Sequence, residues 1–107
     1  MGFFHHESDE AQAYQQVINT PEEHKASLSH ELIAAAASYE AAKAYEQHCE
    51  REGKPESHEK AKEIMAGFAG AFVDRMVETK GLDFIDREKA KRHASDRLDN
   101  VVSPDNY

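Results

Sequence analysis

The sequence predicts an all-α protein: a small helical bundle around a long antiparallel Ala/Gly-rich helical hairpin, with a short N-terminal helix and a C-terminal helix. Three observations predict it. Apolar residues recur at helical spacing, and no alternating run is long enough for a strand, so no sheet is expected. Capping residues and Gly/Pro stops divide the chain into four helical stretches. The two central stretches are crowded with small residues, Ala34 to Ser38 with Ala41 and Ala42 in the first, and Ala66, Gly67, Ala69, Gly70 and Ala71 in the second.

Ser8 followed by Asp9 and Glu10 reads as a helix start, a capping hydroxyl with acids facing the positive end of the dipole. The helix runs to about Ile18, with Ala11, Tyr14, Val17 and Ile18 on its apolar face. Thr20-Pro21-Glu22-Glu23 reads as a second start, because Thr20 can cap, Pro21 suits the first position and Glu23 completes a capping box. Nothing then breaks the helix before Gly53. It should hold about thirty residues and span ~45 Å. Leu28, Leu32, Ala35, Tyr39, Ala42 and Cys49 form its stripe.

Gly53-Lys54-Pro55 is a stop signal. Ser57 or a neighbour caps the third helix, which runs to Lys80 and ends at Gly81. Its apolar positions include Ala61, Met65, Phe68, Phe72 and Met76. Asp83 is expected to cap a fourth helix through about Val101, with a thinner stripe of Phe84, Ala90, Ala94 and Leu98. The whole chain reads as a single helical domain, with flexible ends at residues 1–7 and 102–107.

The short loop between the central helices requires them to pack antiparallel. Folding the chain about residue 54 places Ala41 near Gly67, Ser38 near Gly70 and Ala37 near Ala71. These six form the expected helix–helix contact. Each glycine costs about 1 kcal/mol of helix propensity against alanine, and close packing would offset that cost. In this register, Gly70→Leu would wedge the hairpin apart and lower its melting temperature. Glu31-Leu32-Ile33-Ala34 also resembles Glu63-Ile64-Met65-Ala66 in type, and convergent alanine-rich helices explain this more simply than a duplication.

Composition narrows the function. The chain has 107 residues, 13 Lys+Arg against 21 Asp+Glu, and a formal net charge of −8. An acidic surface without a basic cluster repels nucleic acid and anionic lipid and argues against both as partners. The longest uncharged run, Ile64 to Val73, is far short of the ~20 residues of a membrane span. The start lacks the pattern of a secretory signal. Met1-Gly2 hints at myristoylation, but His6 stands where that pattern needs Ser or Thr. A soluble, cytoplasmic protein is expected. Its single cysteine, Cys49, excludes an internal disulfide and suits a small, half-buried helix position. A thin core of alanines favours self-association, so a homo-oligomer, a dimer, is expected, with a protein partner as the other possibility.

Seven histidines suggest metal chemistry, yet the specific motifs are missing. His30-Glu31 and His58-Glu59 have no second histidine at zincin spacing, and the di-iron Glu-x-x-His signature is absent. His5 and His6 could bind metal weakly. The remaining candidates are His48, Cys49 and His58 beside the hairpin loop, where imidazole and thiolate would suit zinc, copper or haem iron. Ordinary exposed helix-end residues are the simpler reading, so no cofactor is predicted. His30 is expected to pair with Glu78, and His93, between Lys89 and Arg97, to be solvated. No Gly-x-Ser-x-Gly or phosphate loop is present, and no catalytic residue is assigned.

One resemblance adds to this reading. Ser29-His30-Glu31-Leu32-Ile33-Ala34 with Ala37-Ser38-Tyr39-Glu40-Ala41-Ala42-Lys43-Ala44-Tyr45-Glu46 resembles the fungal CipC family (concanamycin-induced protein C). So does Ala66-Gly67-Phe68-Ala69-Gly70-Ala71-Phe72, continuing into Glu78-Thr79-Lys80-Gly81-Leu82-Asp83-Phe84-Ile85-Asp86. The likeness runs from Met1 to about Ala94. Phe3 stands where Trp is more usual, and the tail beyond is not distinctive. The resemblance implies a small fungal protein linked to antibiotic and stress response. It implies no biochemical activity and carries over no site residues. The functional expectation is therefore a non-enzymatic helical protein acting through self-association or partner binding, with metal or haem binding as the alternative.

Overall fold

The computed structural model describes residues 3, 4 and 7–107, apart from the side chain of Glu22. Four α-helices follow one another: α1 (Asp9–Asn19), α2 (His30–Glu52), α3 (His58–Lys80) and α4 (Arg87–Asp99). A 3-10 segment, Glu22–Ser27, joins α1 to α2. Among the described residues there is no strand, only an isolated bridge between Ser103 and Asn106.

Burial explains the arrangement. Six consecutive residues of α2, Ile33 to Ser38, are buried, with Ala41, Ala42 and Tyr45 beyond them. Six successive positions cover more than a full turn, so this stretch is enclosed on every side. α2 accordingly packs against α1, α3 and α4, and α3 also packs against α4. The Ser38 hydroxyl inside this stretch donates to the Ala35 carbonyl at 2.8 Å, which satisfies it without a partner from another helix. α4 contributes Ala90, Ala94 and Leu98, one residue per turn. Tyr14 of α1 packs its ring 5.3 Å from Tyr39 and 6.0 Å from Phe72, joining three helices.

Several helix ends fall where the sequence places them. The Ser8 hydroxyl accepts from the Ala11 amide and that of Ser57 from the Lys60 amide. Gly81 closes α3 in the left-handed region at φ 66°, which glycine adopts without steric cost. Two starts differ. Thr20 does not cap the second helix, because its hydroxyl donates back to the Gln16 carbonyl. Ser29 caps α2 instead, its hydroxyl accepting from the Leu32 amide at 3.1 Å. α2 therefore has 23 residues, not about thirty. The connection from α1 to α2 is tied to the far end of α3 by two lysines: Lys25 Nζ, in the 3-10 segment, donates to the Gly81 carbonyl at 3.2 Å, and Lys80 Nζ to that of Thr20, just after α1, at 3.0 Å.

The fourth helix also starts later than expected. Leu82 and Ile85 turn into the core after Gly81, and Asp86 rather than Asp83 caps α4 by accepting from the Lys89 amide. Phe84, expected on the apolar stripe, is 47% exposed in this turn. His30 does not pair with Glu78. Its Nε2 accepts from the Asp86 amide at 2.7 Å, joining the starts of α2 and α4.

Beyond α4 the chain touches the core at Val102 and Tyr107, while residues 103–106 stay exposed. Val102 is buried, and the Tyr45 hydroxyl donates to the Tyr107 carbonyl at 2.9 Å. Tyr14 is half-buried and Tyr45 fully buried.

The small residues of the hairpin do not meet in the expected register. Ala37, Ser38 and Ala41 are buried in α2, but Gly67 and Ala71 lie exposed on α3. A side-chain carbon at Gly67 would have nothing within 4 Å, and one at Gly70 would meet only the Lys91 side chain, 3.6 Å away. Folding about residue 54 would set His48 opposite Lys60, yet its ring meets that of Phe68, edge-on at 6.3 Å, further along α3. Ala61, Met65, Ala69, Phe72, Val73, Met76 and Val77 supply the buried side of α3. Gly70→Leu should therefore not lower the melting temperature, because leucine gains helix propensity over glycine and meets only the aliphatic stem of Lys91. Ala36→Leu should cost about 1–3 kcal/mol by overpacking the enclosed turn of α2, measured by urea denaturation.

Candidate functional site

The histidine and cysteine candidates stand near the hairpin loop but face different neighbours. His48 and Cys49 are adjacent on α2, so their side chains leave the helix about 100° apart. His48 packs against Phe68. Cys49 neighbours the Tyr45 side chain one turn back. His58, the first residue of α3, holds its Nε2 3.4 Å from the Val102 carbonyl and its ring 5.9 Å from that of Tyr107. The three do not converge. Among the described residues no group of three His, Cys, Asp or Glu side chains is placed to hold a metal ion. His5 and His6, and the Met1-Gly2 start, lie outside the described residues.

Tyr45 is the most perturbed group near this end. Burial pushes its phenol well above the ordinary value, helped by the neighbouring Cys49 and Tyr107 charges. It is held as a neutral donor to the Tyr107 carbonyl, which is a structural task.

Two concave regions flank α4. An open cleft of about 620 Å³ lies between the N-terminal residues and α4, lined by Phe3, Phe4, Glu10, His93, Arg97 and Val101. Its strongest polar feature is the ion pair of Arg97 with Glu10, Nη1 to Oε2 at 2.6 Å. These charges are already spent on one another in a charge-assisted hydrogen bond. His93 is half-buried at this cleft and not freely solvated. A smaller apolar groove of about 240 Å³ runs between α3 and α4 beside Met65, Ala66, Leu98 and Val102. Lys62 and Asp99 pair at 3.4 Å at its edge.

The outer side of α3 is the third feature, and here the sequence-selected residues do gather. Gly67 and Ala71 stand there one turn apart, opposite the buried side. Gly67 has ordinary helical backbone, so its conformation does not require glycine, and no contact among the described residues requires it either. It still costs about 1 kcal/mol against alanine.

On the α4-facing side of this surface is a charge network that motif reading missed. Asp74 accepts from Arg87 at 3.1 Å and from Lys91 at 3.2 Å, and Arg87 also reaches Glu78 at 3.2 Å. Partial burial alone would raise the Asp74 carboxyl, but hydrogen bonds from Lys91 and Arg87 outweigh it and hold the group below its usual value. Arg87 is raised by its bonds to Glu78 and Asp74. A signal was present: acids at 74 and 78 and bases at 87 and 91 each form a one-turn pair.

A family model described as "virulence factor CipC-like" matches residues 13–105. The chain belongs to the CipC-like family. The match covers most of α1 and all of α2, α3 and α4. No curated protein and no solved structure gives a significant match. Among the described residues of this CipC-like chain, no helix is long and apolar enough to cross a membrane.

The Asp74 network yields a pH dependence. A carboxyl depressed in the folded state contributes stability above its unfolded value and loses it as pH falls through the folded one. The usual Asp value is 3.8. The melting-temperature difference between the native chain and Asp74→Asn should therefore be constant above about pH 5 and shrink as pH falls below about 4, as followed by circular dichroism.

Proposed function

We propose that this CipC-like protein is a non-enzymatic helical protein that acts through self-association, forming a homodimer, or by presenting its surface to a protein partner. It serves antibiotic and stress response in a fungal cytoplasm. Metal or haem binding has no support in the placement of His48, Cys49 and His58, and no catalytic residue is assigned.

One observation carries this reading: an exposed helical glycine that nothing among the described residues requires. Gly67 weakens α3 without relieving a clash or permitting a turn. A helix that gives up propensity on its outer face gains from it only when another backbone comes close. The alanine-rich core points the same way, because alanine buries little area per residue and a second copy adds to it.

Native mass spectrometry of the full chain without a histidine tag tests this reading. The expected spectrum shows a dimer at the mass of two chains. A monomer throughout the accessible concentration range would contradict self-association. A stoichiometric added mass that disappears on His48→Ala or His58→Ala would replace it with ligand binding.

A further inference from the structure

We infer that two copies of this chain meet through the outer faces of their α3 helices, packed antiparallel, with Gly67 of each copy against Ala71 of the other. This rests on the self-association proposed above and assigns it a surface and a register.

The argument begins with the order of residues along that face. The exposed positions Lys60, Glu63, Gly67, Ala71, Arg75 and Glu78 follow one another at three- and four-residue spacing, so they lie on one side of the helix. They read cation, anion, small, small, cation, anion. Turned end for end against itself, this row is complementary: Lys60 faces Glu78, Glu63 faces Arg75, and Gly67 faces Ala71. In a two-fold interface each such pairing occurs twice. A parallel pairing would set like charges against each other, which costs specificity and affinity.

The side chains are free to take part. Lys60 and Glu63 make no ion pair among the described residues. Arg75 stacks its guanidinium over the Phe72 ring, 5.4 Å from the centroid. That fixes its stem and leaves the edge of its fork for a carboxylate. Glu78 uses Oε2 for Arg87, and its second oxygen can accept from Lys60 of the second copy. Asp74, which would otherwise oppose the half-buried Ile64, is drawn towards α4 by Lys91 and Arg87. At the centre, the open space around Gly67 lets the two backbones approach at or below the usual ~8 Å lower limit of helix spacing.

Sedimentation velocity of the full chain and its variants tests the register, with circular dichroism melts confirming that each variant folds. The native chain should dimerise, more weakly as salt is raised. Gly67→Glu, Glu63→Arg and Arg75→Glu should each weaken the dimer by about tenfold or more. The double variant Glu63→Arg with Arg75→Glu should recover most of that loss, because the charges are exchanged across the seam. A dimer indifferent to all three single changes would overturn this surface while leaving self-association intact. Weakening by the single changes without recovery in the double variant would overturn the antiparallel register. A monomeric native chain would overturn the surface together with the reading it rests on.

Discussion

The enclosed turn of α2 is the constraint on which the rest of the fold depends. From Ile33 to Ser38 every side of the helix is covered. Three helices can approach one rod this closely only if the rod is thin, and alanine is the side chain that keeps it thin without the backbone cost of glycine. The choice has a consequence. Alanine removes little surface from water, so much of the larger apolar surface comes from the surrounding helices, in Val17, Met65, Phe72, Val73 and Leu98, beside Ile33 and Tyr45 of α2 itself. Each outer helix therefore presents one buried side to α2 and leaves its other side to solvent. The outer face of α3 is the product of this arrangement. It is regular because the opposite face must be.

The ends of the fold are held by polar bonds where the hydrophobic stripes run out. Lys25 and Lys80 cross between the α1–α2 connection and the end of α3. His30 accepts from the start of α4, and Tyr45 holds the last residue. Arg97 reaches Glu10 across the first and last helices. A charged partner bond is stronger than a neutral one, so a few such contacts suffice to close a bundle with a modest core. They also account for much of the polar chemistry that looked available for function. Histidines and charged groups that suggest a site in the sequence are engaged in closing the structure.

Much of the fold was legible because helix ends are written locally. Ser8, Ser57, Gly53 and Gly81 act within a few residues of where they stand, and all four were readable. Thr20 and Asp83 misled because two capping residues competed over a short stretch, and tertiary contacts decided between them: the Lys25–Gly81 bond near the first, burial of Leu82 and Ile85 near the second. The packing register was not legible, because small residues mark a face that can approach another closely without saying which other. Ala37, Ser38 and Ala41 use theirs against the chain's own helices, whereas Gly67 and Ala71 do not. The His48, Cys49 and His58 candidates were chosen by nearness to one loop, and their directions around each helix separated them. Long-range pairs such as Glu10–Arg97 leave no mark in the sequence.

If α2 is the rod on which the other helices depend, its enclosed turn can open only when the whole molecule does. Native-state hydrogen exchange tests this most directly. The account predicts that amides from Ile33 to Tyr45 exchange with the free energy of global unfolding, the highest in the protein. Exchange of that stretch through a smaller opening, while α3 and α4 stay protected against each other, would contradict it.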